Sequence, residues 1–81
     1  MALSKKTEKC VFTFESTADA MSMEKLCKEN AIAGRIIPVP TSITAGCGLA
    51  WCADINEKEN ILKFIEKTCL KYQGVYSVFL R

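Results

Sequence analysis

Five cysteines and no histidine set the chemistry open to this chain of 81 residues. Cys-His and Ser-His catalysis and histidine-containing zinc sites are excluded within it. A reactive thiol must draw on a nearby lysine or arginine, on backbone N–H groups, or on a helix N-terminus. Cys47 stands apart from the other four, in the run Ala45-Gly46-Cys47-Gly48-Leu49-Ala50-Trp51. Gly46 and Gly48 leave its thiol sterically bare and permit positive φ or close backbone approach. Successive N–H groups in such a turn can also form an anion-binding nest. The plainer alternative is a tight turn in which a cysteine happens to sit.

The remaining cysteines read as structural. Cys27 and Cys69 fall on the apolar stripes of two helical segments, where free cysteine is a common core filler. Cys10 shares strand parity with Phe12 and Phe14, which predicts partial burial. Cys52 lies opposite in parity to Trp51 and would be exposed on an open sheet face, so it is the candidate second thiol. Extended chain from Cys47 to Cys52 spans roughly 16 Å, too far for a disulfide. A metal or iron–sulfur site needs three or four of these cysteines, and hence Cys27 or Cys69 turned out of the core. No metal and no cofactor is expected.

These side chains need elements to position them. Lys9 to Glu15 is β-branched and aromatic and reads as a strand. Ser16 and Thr17 then open a helix, with apolar positions Ala20, Met23 and Cys27 at helical spacing up to about Asn30. Arg35 to Pro40 must be extended, since residues before proline avoid the helical region. Pro38 and Pro40 are two apart, so their missing N–H groups face one side, and that side cannot pair: the strand is an edge. Thr41 to Gly48 is a loop. Leu49 to Ile55 alternates as a strand, Asn56 caps a helix from Glu57 to Tyr72 that Gly74 closes, and Val75 to Leu80 is the last strand.

The order βαββαβ is the split βαβ, or ferredoxin-like, α+β arrangement. Its antiparallel sheet has strand order 4-1-3-2, with both helices on one face. Residues 1–8 are expected to be a disordered N-terminus and 9–81 a single domain. In this topology the Cys47 loop lies at the end of the sheet where the first helix begins. Ser16 and Thr17 then bring the positive end of a helix dipole to favour a thiolate on Cys47. The uncovered sheet face would carry apolar residues such as Tyr76, Val78 and Leu80, a mark of association, and fits a homodimer.

Composition narrows the partners. Eleven basic and nine acidic residues are dispersed, giving a net charge of +2, with no basic run interleaved with aromatics. Nucleic acid is disfavoured as the main partner. Apolar runs fall well short of the ~20 residues that cross a bilayer. The N-terminal residues lack the apolar stretch of a secretory signal. A cytoplasmic protein with reduced thiols is expected.

From Phe12 to Ala50 the chain resembles the selenium/sulfur carrier-like family of small bacterial proteins. The resemblance rests on Phe14-x-Ser16-Thr17 followed by Ala20 and Glu24, then Ile37-Pro38-Val39-Pro40, then Gly46-Cys47-Gly48-Leu49-Ala50. Thr41 stands where the family pattern often has an arginine, while Ala45 keeps the small residue before the motif. The resemblance implies a carrier role for Cys47, holding sulfur or selenium as a persulfide or selenosulfide, with a donor or acceptor enzyme as partner. The protein would then be an accessory and not a self-contained enzyme. Two other readings stay open: a ligand-binding or regulatory ferredoxin-like module, and a thiol-redox or metal-handling protein in which Cys47 and Cys52 act across a dimer.

Overall fold

The computed structural model describes residues 7–43 and 47–80. Its elements run β1 (Thr7–Thr13), α1 (Thr17–Glu29), β2 (Arg35–Pro38), β3 (Leu49–Asp54), a 3-10 turn (Ile55–Glu57), α2 (Lys58–Thr68) and β4 (Gly74–Leu80). One antiparallel four-stranded sheet has the order β2-β3-β1-β4. This is the expected ferredoxin-like arrangement. β1 starts two residues earlier than its apolar pattern predicts, because Thr7 and Glu8 pair with Leu80 and Phe79 of β4.

The prolines sit as their chemistry requires. The Val39 N–H donates to the Gly48 carbonyl at 3.0 Å, continuing the β2–β3 register in which Ile37 meets Ala50. Backbone groups alternate in an antiparallel ladder, so the nitrogens of Pro38 and Pro40 point away from β3. Strand β2 is an edge in the sheet as in the sequence.

Both helices cover one face. Ala20, Met23 and Cys27 of α1 and Ile61 and Ile65 of α2 are buried with Cys10, Phe12, Phe14, Trp51 and Ala53. Phe12 meets Tyr72 edge to face, ring centres 5.8 Å apart. The opposite face is not open as expected. Ile43, from the β2–β3 loop, is buried against Val11, Ala50 and Cys52, with Ile37, Val39, Val78 and Leu80 packed around them. Ile43 thus brings a loop side chain into the apolar cluster on this face.

Helix α1 ends at Glu29 with Asn30 as its C-cap, as expected, whereas α2 ends earlier than expected; both close in the same way. Helix α1 ends through Ala31 at φ 54° and α2 through Cys69 at φ 58°. Each closes with a bond from the second residue beyond to the last turn: Ile32 N–H to the Cys27 carbonyl at 2.9 Å, and Leu70 N–H to the Ile65 carbonyl at 3.2 Å. These are Schellman closures, and Ile32 and Leu70 pack on the core as their apolar clamps. Glycine ordinarily occupies the left-handed position. Its absence leaves no punctuation in the sequence, so α2 stops at Thr68 and not at Tyr72, and Gly74 belongs to β4. Asn56 lies within the 3-10 turn and does not cap α2, whose N-cap is Glu57.

Gly34 is needed where it stands. It has φ 125°, and a Cβ there would sit 2.4 Å from Trp51 Nε1 and 2.7 Å from the Cys52 carbonyl oxygen. Two substitutions should therefore act in opposite directions in urea denaturation. Gly34→Ala lowers stability by roughly 2 kcal/mol or more, through strain and displacement of a buried indole. Ala31→Gly raises it by about 0.5–1 kcal/mol, by relieving a left-handed alanine.

Candidate functional site

Cys47 lies two residues before the first residue of β3, at the neck of the β2–β3 loop. The Val39–Gly48 hydrogen bond closes that neck, and the Ile43 N–H to Pro40 carbonyl bond, 2.9 Å, tightens the outgoing arm. Gly48 has φ 79°, and a side chain there would meet open space. The glycine thus serves conformation, not clearance: it lets the chain turn from the loop into the strand. Gly46, the other predicted flanking glycine, lies outside the described residues.

The Cys47 side chain is half-buried and packs against the helix-side core. Its Sγ donates a weak hydrogen bond to the Leu49 carbonyl at 3.5 Å. That contact uses the thiol proton, so it is lost once the sulfur is substituted. In β1, Thr13 stands opposite Ala50, which brings the start of β3 to the sheet end where α1 begins. Ser16 caps α1 there with extended backbone, φ −134° and ψ 154°, its hydroxyl accepting from the Asp19 N–H at 3.2 Å. Thr17 is the first helical residue. The Ser16 hydroxyl is therefore committed to the helix and the Cys47 thiol to Leu49, and neither is spent on the other. Asp19 in the first turn offsets part of the helix's positive end.

Strand parity separates the two thiols that spacing had brought into question. Cys47 belongs to the helix-side cluster and Cys52 to the opposite one. Cys52 is 6% exposed, which corrects the expectation of an open position: Ile43 and its neighbours cover that face. Burial pushes the Cys52 thiol up, and the charges of Lys9 and Arg35 only partly oppose this. Lys9 is itself ion-paired with Asp54.

Cys10 and Cys27 are fully buried. Cys10 donates to the Ala53 and Asp54 carbonyls, at 3.6 and 3.5 Å, and burial raises its thiol. Burial pushes Cys27 from 9.0 up to about 11. Cys69 departs from expectation. It is exposed, because α2 ends one turn early and its last apolar-stripe position becomes the left-handed cap. No residue type in the sequence marks this stop; Thr68 is the last helical residue, its hydroxyl donating to the Phe64 carbonyl at 2.8 Å. Among the described residues no group of three or more Cys, Asp or Glu side chains is placed to hold a metal ion. No helix among them is long and apolar enough to cross a membrane.

A family model described as "Putative Se/S carrier protein-like" matches residues 9–77. The chain belongs to this family. The match takes in β2, β3, both helices, the Cys47 loop and the greater part of β1 and β4. No curated protein and no solved structure matches the chain.

Two measurements check this thiol map. Brief alkylation of the native, reduced protein, read by peptide mass spectrometry, should label Cys69 and then Cys47. Cys10, Cys27 and Cys52 should react only after denaturation. The second is stability against pH. A thiol raised by folding binds its proton more tightly in the native state, so its contribution is complete below the unfolded value. Stability is then lost as pH rises from about 9 towards 11, by at most ~1.4 kcal/mol per pH unit for one thiol. Cys27→Ala should show a shallower alkaline loss than the parent in melts at pH 8, 9 and 10.

Proposed function

We propose that this protein carries sulfur or selenium on Cys47, as a persulfide or a selenosulfide, between a donor and an acceptor enzyme. The observation that carries the reading is a part-exposed cysteine at a glycine-turned loop neck, inside the span that matches the carrier family. Three of the other four cysteines are buried as neutral thiols, which keeps the cargo from wandering within the chain.

Loading needs no cofactor. The Cys47 thiolate attacks the outer sulfur of a persulfide on the donor's cysteine. A new S–S bond forms on Cys47, the donor's S–S bond breaks, and the donor cysteine leaves as a thiolate. The sulfane sulfur changes owner with no net oxidation. With selenium, the atom transferred is the outer selenium of a selenosulfide and the same bonds exchange. A persulfide is anionic near neutral pH, so the backbone N–H groups around Gly48 and the start of α1 at Ser16–Thr17 suit it. The role is that of an accessory to enzymes.

Incubation with a cysteine desulfurase and free cysteine, followed by intact-mass and peptide mass spectrometry without reductant, tests the reading. One sulfur atom should be gained on Cys47, be absent in Cys47→Ser and persist in Cys69→Ser. Equal sulfur uptake by Cys47→Ser and the parent overturns it.

A further inference from the structure

The sheet has two edges, and they are not treated alike. At one, β2 turns proline nitrogens outward at Pro38 and Pro40, so no strand can extend the sheet there. At the other, β4 is seven residues long, Gly-Val-Tyr-Ser-Val-Phe-Leu, with neither proline nor charge. Proteins usually blunt such a strand with lysine, proline or a short length. Nothing of that kind protects β4 among the described residues.

The ladder fixes which β4 groups face outward. Because Val39 bonds to Gly48, alternate β3 residues turn their backbone to β2, and Leu49, Trp51 and Ala53 turn theirs to β1. Carried through the β1–β3 and β1–β4 registers, this sends the backbones of Tyr76 and Val78 towards β1. Val75, Ser77 and Phe79 present theirs to the open edge. Phe79 is 62% exposed and Tyr76 41%, large values for aromatic side chains on a strand.

From this we infer that β4 pairs antiparallel with β4 of a second copy, joining two sheets about a two-fold axis at Ser77. The occupant is argued from self-complementarity. With Ser77 opposite Ser77, Val75 of each chain faces Phe79 of the other, and each outward N–H meets an outward carbonyl. The same register sets Tyr76 against Val78 on the other face. Both exposed aromatics thereby gain β-branched cross-strand partners, a favourable pairing, and no charged β4 side chain is brought against its own image. The Ser77 hydroxyl keeps its bond to the Glu8 carboxylate, which reaches it from β1 on the inner side of β4. This edge is distinct from the sheet face that the βαββαβ order had suggested, part of which Ile43 already covers. It does not depend on the carrier reading of Cys47.

The test is run on the full chain under reductant, so that exposed Cys69 forms no intermolecular disulfide. Sedimentation equilibrium from roughly 10 μM to 1 mM, the range suited to a short strand interface, should show a monomer–dimer equilibrium. Hydrogen exchange over the same range should protect the Val75, Ser77 and Phe79 amides as concentration rises, while Tyr76 and Val78 stay protected throughout. Ser77→Pro removes an outward N–H and should weaken association about tenfold or more, with circular dichroism unchanged. Phe79→Lys, which leaves the backbone intact, should do the same and covers the case in which the proline variant misfolds. A monomer at every concentration overturns the inference. So does a dimer in which the Val75, Ser77 and Phe79 amides exchange freely, or one that Phe79→Lys leaves unchanged.

Discussion

The position of Cys47 depends on how Trp51 is seated. The indole is 2% exposed, lies over Gly34 where a side chain would otherwise stand, and donates its N–H to the Ala33 carbonyl at 3.1 Å. A buried indole without an acceptor would forfeit a hydrogen bond worth about 1 kcal/mol or more. Its packing and its polar group therefore act together, and both hold the turn after α1 to the middle of β3. Strand β2 follows directly from that turn and pairs along β3 from Arg35 to Pro38. With β2 and β3 fixed at one end, the loop between them has a set origin and a set return at the other. Cys47 lies on that return, with Gly48 between it and β3.

The loop is held by unlike means at its two ends. The Val39–Gly48 bond joins its arms, and Ile43 is drawn onto the second sheet face by apolar burial. A cysteine at the tip of a free loop would be open but unplaced. At the neck, Cys47 inherits the order of β3 while remaining part-exposed. The same folding event sorts the other thiols. Burial that secures Cys10, Cys27 and Cys52 also disfavours their ionised forms, so stability and chemical selectivity have one cause.

Much of this was legible from residue types and spacing. Pro38 and Pro40 identified the β2 edge because a missing N–H is a local property with only one remedy. Period-two alternation from Leu49 onward gave β3, and Ser16 gave the start of α1, since both signals are carried by the residues themselves. The end of α1 near Asn30 was legible and that of α2 was not, though both helices close through a left-handed residue, Ala31 or Cys69. Their closure is secured by Ile32 and Leu70 packing on the core, which is tertiary information. The burial of Cys52 was hidden for the same reason: its cover comes from Ile43, nine residues away on a loop with no periodicity. The site itself was read as Cys47 between glycines, and the structure adds what spacing could not, namely that Cys47 packs against the helix-side core.

That last point bears on how a cargo could be handed over. Exchange between sulfurs needs the attacking thiolate to approach along the axis of the bond that breaks, so the outer atom must project from the surface. Cys47 Sγ packs on the helix-side core and bonds inward to the Leu49 carbonyl, an arrangement for an empty thiol. An added sulfur has no proton donor to keep it there, and the anion is better served by N–H groups than by a carbonyl lone pair. On the carrier reading proposed above, a loaded Cys47 would turn out of its resting contact with the Leu49 carbonyl. Gly48, with left-handed backbone and open space around it, offers no side chain to obstruct the swing. The free and loaded forms would then differ at the one place a partner must inspect, which lets donor and acceptor distinguish them without any larger change in the fold.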